Sequence, residues 1–219
     1  SSREGYEQVM DARRRGQKVY AETCPQYLLL DDSVYDAGGI EGAKYICSPP
    51  LRKKEDQDCL WQALQNGDIQ TLSTDHCSFT TEQKSVGQND FGMIPNGMPG
   101  VEERPALIYT EAAKGSRLTL PQICRLMSEN PARLYGLYPK KGAVLKGSDA
   151  DIVVWDPECE FTVTSREQGS KCDYAPFEGK KCRGRAAAVY LHGCLAAEYG
   201  KVVAPGQGTY VARKAPEQI

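Results

Sequence analysis

Ser73-Thr74-Asp75-His76-Cys77 sets a carboxylate, an imidazole and a thiol side by side, at the end of a stretch, Ile69 to Thr74, that reads as a strand. At the C-terminal end of a strand that opens into a loop, Asp75 can hold a metal ion and also move a proton. Amide hydrolysis needs both services, because the amide nitrogen leaves poorly unless protonated. An aspartate before a loop also binds backbone N–H groups as a cap, and spacing alone favours that humbler role. His76 is expected to be a hydrogen-bonded structural residue, since the chain holds only two histidines. The other, His192, falls beside Gly193 in an expected turn, so no histidine-rich zinc site can be assembled from this inventory.

Two further segments are candidates for ligand binding. In Cys47-Ser48-Pro49-Pro50-Leu51-Arg52 the prolines stiffen the backbone and force Ser48 away from helical angles, so its N–H and C=O are presented in fixed directions. A rigid amide pair suits recognition of another amide, and an ordinary rigid turn fits the hexamer as well. Ile94-Pro95-Asn96-Gly97-Met98-Pro99-Gly100 has glycines that let backbone approach a ligand closely, and a plain surface loop is the alternative. Glu102-Glu103-Arg104 reads as a charged helix start.

The elements that must position these residues follow from periodicity. Helices are expected over roughly 4–15, over Glu55 to Gln65 up to Gly67, over Glu102 to Lys114, and from Thr119 as N-cap with Leu120, Ile123, Cys124, Leu126 and Met127 on its apolar side. A short helix is expected to start at Asn130-Pro131 by cap-then-proline logic. Lys18 to Thr23 and Ile69 to Thr74 read as strands. A long irregular stretch separates them, and Gly87 to Gly100, with four Gly and two Pro, reads as a loop. Alternation of helix and strand to about residue 138 predicts α/β with parallel strands. From Gly142 the character changes to short β runs at Ala143 to Leu145, Asp151 to Trp155, Ala186 to Leu191 and Leu195 to Tyr199. Ala204 to Ile219 reads as a tail that the pattern leaves unplaced.

Composition narrows the function classes. Charged residues at 26%, hydrophobic residues at 40% and a net charge of -2 without a basic block argue against a nucleic-acid or membrane partner. The nine cysteines contain no CxxC pair, which excludes zinc-ribbon and thioredoxin-like readings. Their odd number and the absence of a secretory signal predict free thiols and a cytoplasmic protein. The start, Ser1 to Gly5, has no Met and runs at once into a helical pattern, so the chain is read as a fragment.

In this order, Ala21-Glu22-Thr23-Cys24-Pro25-Gln26-Tyr27, Ser48-Pro49-Pro50-Leu51-Arg52, Thr74-Asp75-His76-Cys77, Pro95-Asn96-Gly97 leading to Gly100-Val101-Glu102, Asn130-Pro131-Ala132-Arg133 and Lys146-Gly147-Ser148-Asp149-Ala150-Asp151 resemble the dihydropyrimidinase/hydantoinase branch of the amidohydrolase superfamily. The resemblance implies the C-terminal part of a (β/α)8 barrel over 1–138, a β-sandwich segment over 139–203 and a tail over 204–219. It implies two zinc ions bridged by a carboxylated lysine and a hydroxide, with four histidines and one aspartate as ligands. Only the aspartate has a counterpart here, Asp75, which would bind metal and relay the proton to the leaving nitrogen. Ser48 and Asn96 match positions whose backbone groups hold the cyclic amide. The implied reaction opens a hydantoin or dihydropyrimidine ring to an N-carbamoyl amino acid, in a homodimer or homotetramer. A second reading is a non-catalytic assembly protein of the collapsin-response type; that branch tends to lose the aspartate, so Asp75 favours the enzyme. A third is an inactive fragment that keeps only oligomer contact through the β segment and tail.

Overall fold

The computed structural model describes residues 1–87, 89–115 and 117–219. Gln88, within the expected Gly87–Gly100 loop, lies outside the described residues. The chain forms two compact units, Ser1–Ile108 with Thr162–Cys182, and Tyr109–Phe161 with Arg183–Ile219.

In the first unit, helix α1 (Arg3–Arg14) starts where the Ser2 hydroxyl accepts from the Gly5 N–H, capping one of the orphan donors of the first turn. Its Tyr6 hydroxyl donates to Asp68 (2.8 Å), and Arg13 reaches the Val19 and Asp68 carbonyls and the Gln70 side chain. Strand β1 (Glu22–Thr23) follows, then α2 (Pro25–Leu29), α3 (Gly39–Ala43) and α4 (Lys54–Asn66), which buries Leu60, Trp61, Ala63 and Leu64. Strand β2 (Thr71–Leu72) pairs with β1 in parallel, Glu22 opposite Thr71 and Thr23 opposite Leu72.

Both strands are shorter than the sequence predicts, and on the β1 side the reason is visible. Before β1, the backbone groups that would extend the ladder are taken by side chains: the Ala21 N–H by the Gln70 side-chain carbonyl (3.0 Å) and the Val19 carbonyl by Arg13 (2.9 Å). The stretch read as irregular holds α2, α3 and a 3₁₀ segment, Asp32–Ala37. The sequence reading also passed over α5 (Thr81–Ser85), whose capping box joins Thr80 and Gln83. Helix α6 (Arg104–Gly115) matches its expected position closely.

In the second unit, Thr119 caps α7 (Leu120–Cys124) as expected, and Ile123 and Leu126 are buried, whereas Leu120 is exposed. The expected short helix at Asn130-Pro131 is present, but Asn130 does not cap it. The helix continues through a π-helical stretch, Arg125–Glu129, into α8 (Asn130–Leu134), and both Glu129 and Asn130 have helical angles. The wider turn leads directly to Pro131, so the proline sits in the first turn of α8 without breaking the chain direction.

Strands β3 (Ile152–Thr162), β4 (Lys181–Leu191), β5 (Cys194–Glu198) and β6 (Lys201–Val202) lie in that order in one sheet. Two-residue turns at His192-Gly193 and Tyr199-Gly200, all at positive φ, join the antiparallel strands, the hairpin geometry that matches strand twist. Ala143 to Leu145 is not a strand. A hydrogen bond from the Asp149 N–H to the Lys140 carbonyl (2.9 Å) closes this segment into a loop, with Val144 exposed. The tail is placed: Lys214 N donates to Gly136 O (2.8 Å), Glu217 N to Arg133 O (3.0 Å), and the Glu217 carboxylate pairs with Arg133. Among the described residues, no helix is long and apolar enough to cross a membrane.

Candidate active site

The ends of β1 and β2 are joined before any candidate side chain enters. Ser73 N donates to Thr23 O (3.0 Å), and the buried Gln26 side chain donates to Thr74 O (3.0 Å). Asp75 therefore leaves the sheet from a fixed point. Its φ is +52°, a left-handed conformation that aspartate tolerates better than most residues, and its side chain is exposed.

The loop after Asp75 is held against the Asn96 loop. His76 pairs with Met98 in a parallel bridge, and Cys77 N donates to Met98 O (3.1 Å). The His76 Nδ1 accepts from the N–H groups of Gly100 (3.1 Å) and Val101 (3.3 Å). That is the hydrogen-bonded structural role expected of it, and it fixes the Nδ1 as the unprotonated nitrogen. At Gly97 the backbones approach so closely that a Cβ would lie 2.5 Å from the Cys77 carbonyl oxygen, and φ is +147°. Only glycine meets both conditions.

The Ser48 turn joins the same framework. Gly97 N donates to Ile46 O (3.0 Å), and Tyr27, from the segment after β1, donates its hydroxyl to Pro49 O (2.9 Å). The Cys47 thiol also donates to Pro49 O (3.2 Å). The segments carrying Asp75, Ser48 and Asn96 are thus bound to one another, all within the first unit. Ser48 and Asn96 are exposed, and the Asn96 side chain makes only a long contact with Ile94 O (3.5 Å).

Electrostatically, Glu22 and Asp75 are the carboxylates that act on Cys24. Burial, with the Glu22 and Asp75 charges adding to it, pushes the Cys24 thiol up to about 12, and burial raises the Tyr27 hydroxyl and the Cys47 thiol as well. These thiols stay protonated at neutral pH, and a protonated thiol is neither a nucleophile nor a good metal ligand.

Sequence reasoning missed Lys84, which is fully buried and donates to Ile46 O (2.8 Å) and Pro95 O (2.7 Å). The Thr80-x-x-Gln83 box marks the start of the helix that carries Lys84, but it gives no sign that this lysine is buried. His192 lies in the second unit, where its N–H donates to Asp151 (2.9 Å) and its Nε2 meets the Thr209 hydroxyl (3.2 Å).

The family model described as Amidohydrolase family matches residues 15–196. The chain belongs to the amidohydrolase family. This amidohydrolase chain is 43% identical over 215 residues to a D-hydantoinase of Geobacillus stearothermophilus, covering 97% of this chain and 46% of that one. Its fold is similar to the solved D-hydantoinase from Bacillus sp. AR9, at a TM-score of 0.96 and 41% identity, covering 100% of this chain and 48% of that one. It is similar also to dihydropyrimidinase from Brevibacillus agri NCHU1002, at a TM-score of 0.96 and 39% identity, again over 100% and 48%. The chain spans about half the length of the curated relatives it matches. Amidohydrolases and hydantoinases are in general metal-dependent. Among the described residues of this amidohydrolase there is no group of three or more His, Cys, Asp and Glu that could hold a metal ion, so the donors present do not by themselves fit a metal pair.

Proposed function

We propose that the intact protein opens the ring of a hydantoin or 5,6-dihydropyrimidine, hydrolysing the cyclic amide to an N-carbamoyl amino acid. The observation that carries this reading is the tying of the Asp75, Ser48 and Asn96 segments into one hydrogen-bonded frame at the ends of two parallel strands. Strand ends of this kind are where α/β barrels gather catalytic groups, and the likeness to hydantoinases over nearly the whole chain supports the substrate class.

In this proposal Asp75 moves the proton. The oxygen of water adds to the ring carbonyl, the C–N bond breaks, and Asp75 carries a proton from the attacking water to the departing nitrogen. The backbone N–H and C=O groups at Ser48 and Asn96 hold the cyclic ureide or imide, reading its amide with amides. Two zinc ions per intact site belong to the same reading, with Asp75 the one ligand supplied from these residues. The architecture proposed is the C-terminal part of a (β/α)8 barrel over 1–138, a β-sandwich segment over 139–203 and a tail over 204–219, in a cytoplasmic homodimer or homotetramer.

Assay of dihydrouracil and hydantoin ring opening by the full-length protein, with zinc analysis alongside, tests the reading. Zinc-dependent turnover is the expected result, and a full-length protein that binds zinc yet opens neither ring overturns the substrate class.

A further inference from the structure

We propose that Lys84 is the positioning residue of the substrate-binding frame, setting the separation of the Ser48 turn and the Asn96 loop with a single ammonium group. The inference rests on the reading of Ser48 and Asn96 as ligand-holding positions.

The geometry is specific. Lys84 Nζ donates to Ile46 O (2.8 Å), two residues before Ser48, and to Pro95 O (2.7 Å), immediately before Asn96. The Ile46 carbonyl also accepts from Gly97 N (3.0 Å), so the two segments share one acceptor and one donor group. Lys84 itself cannot drift. Its helix is fixed by the Thr80–Gln83 capping box, Thr81 N donates to Asp173 (2.8 Å), and the Cys172 thiol donates to the carbonyl of Phe79 (3.0 Å).

The choice of residue needs an explanation, because burying an ammonium is costly and an apolar side chain would fill the same space. Among the described residues no carboxylate is paired with it; its compensation is the two carbonyls and the Phe79 ring, whose centroid is 5.6 Å away. Burial pushes Lys84 down to about 8. Both hydrogen bonds of this ammonium go to backbone carbonyls. It meets the two loops that carry the exposed residues Ser48 and Asn96.

The test uses the full-length protein as wild type, Lys84→Met and Lys84→Gln, reading dihydrouracil kinetics together with amide hydrogen exchange over residues 46–48 and 94–98. In Lys84→Met, exchange in both segments accelerates about tenfold or more, KM rises about tenfold or more, and kcat falls less than about threefold, the pattern of lost ground-state binding. Zinc content stays at the wild-type level. Lys84→Gln keeps two N–H donors on a shorter arm and recovers part of KM. Unchanged exchange overturns the positioning role. Faster exchange with unchanged KM also overturns it as a substrate device, and traces the fault to the reading of Ser48 and Asn96, since the loops would have loosened without the ligand responding. Failure of both variants to fold assigns Lys84 to the fold as a whole and overturns the proposal.

Discussion

Gln26 donates its side-chain N–H to the Thr74 carbonyl over 3.0 Å, with both residues buried, so the segment after β1 holds the residue that precedes Asp75. Gln26→Leu removes the donor and leaves a buried acceptor behind. A loss of about 1–3 kcal/mol in unfolding free energy is expected, read from denaturant midpoints of the full-length protein. Ring-opening activity should fall with it, because Asp75 loses its anchor; a variant as stable and as active as wild type would show that Thr74 is held by other means.

Asp75→Asn is expected to abolish nearly all ring opening while leaving the fold intact. Asparagine accepts the left-handed backbone found at Asp75 as readily as aspartate does, so the substitution isolates the carboxylate. Circular dichroism and the thermal midpoint should be unchanged. Turnover of dihydrouracil near the wild-type rate would remove Asp75 from the proton path.

Ser48→Ala and Asn96→Ala should each change turnover far less than Asp75→Asn, because the backbone groups assigned to substrate binding survive both substitutions. Comparison of kcat/KM across the three variants checks this. An effect at Ser48→Ala as large as that of the aspartate variant would point to the hydroxyl.

Gly97→Ala should lower kcat/KM by about tenfold or more, since a Cβ there meets the Cys77 carbonyl oxygen at 2.5 Å and the loops must part. Gly100→Ala serves as the control, with nothing within 4 Å of its added Cβ. Equal effects at the two glycines would contradict the close-approach account.

Lys84 carries a pH signature of its own. Its folded pKa is about 8 against an ordinary 10.5, so between those values the unfolded chain binds more protons than the folded one. Stability of wild type relative to Lys84→Met should therefore rise from about pH 8 towards 10.5, with the burial cost fully present below that window. The thiols of Cys47, Cys77 and Cys172 act on Lys84 in the opposite sense, raising its pKa where burial, the larger effect, lowers it. Urea midpoints of the pair across the window give the difference directly, and a flat or falling difference refutes the assigned shift.

Helices were legible where periodicity and caps agreed. Arg3–Arg14, Lys54–Asn66 and the Thr119 cap all lie within a residue or two of expectation, because local hydrogen bonds decide them. Strand length was not legible, since it depends on Gln70 and Arg13 taking backbone groups from elsewhere in the chain. At Asn130 a local rule lost to the π-helical stretch before it. Within the site, Asp75, Ser48 and Asn96 were visible as motif residues, whereas the bonds that unite their segments run between positions distant in sequence. Lys84 escaped notice because nothing local distinguishes a lysine that will be buried from one on a solvated helix face.

The Ile46 carbonyl accepts from both Lys84 and Gly97, and a doubly engaged carbonyl draws electron density along its peptide unit. The N–H on the far side of that peptide, belonging to Cys47, becomes a stronger donor, as members of hydrogen-bond chains polarise one another. Carbon-13 at the Ile46 carbonyl would report this as a lowered amide stretching frequency. The same label would turn the infrared spectrum into a gauge of how firmly the Ser48 turn is gripped while substrate comes and goes.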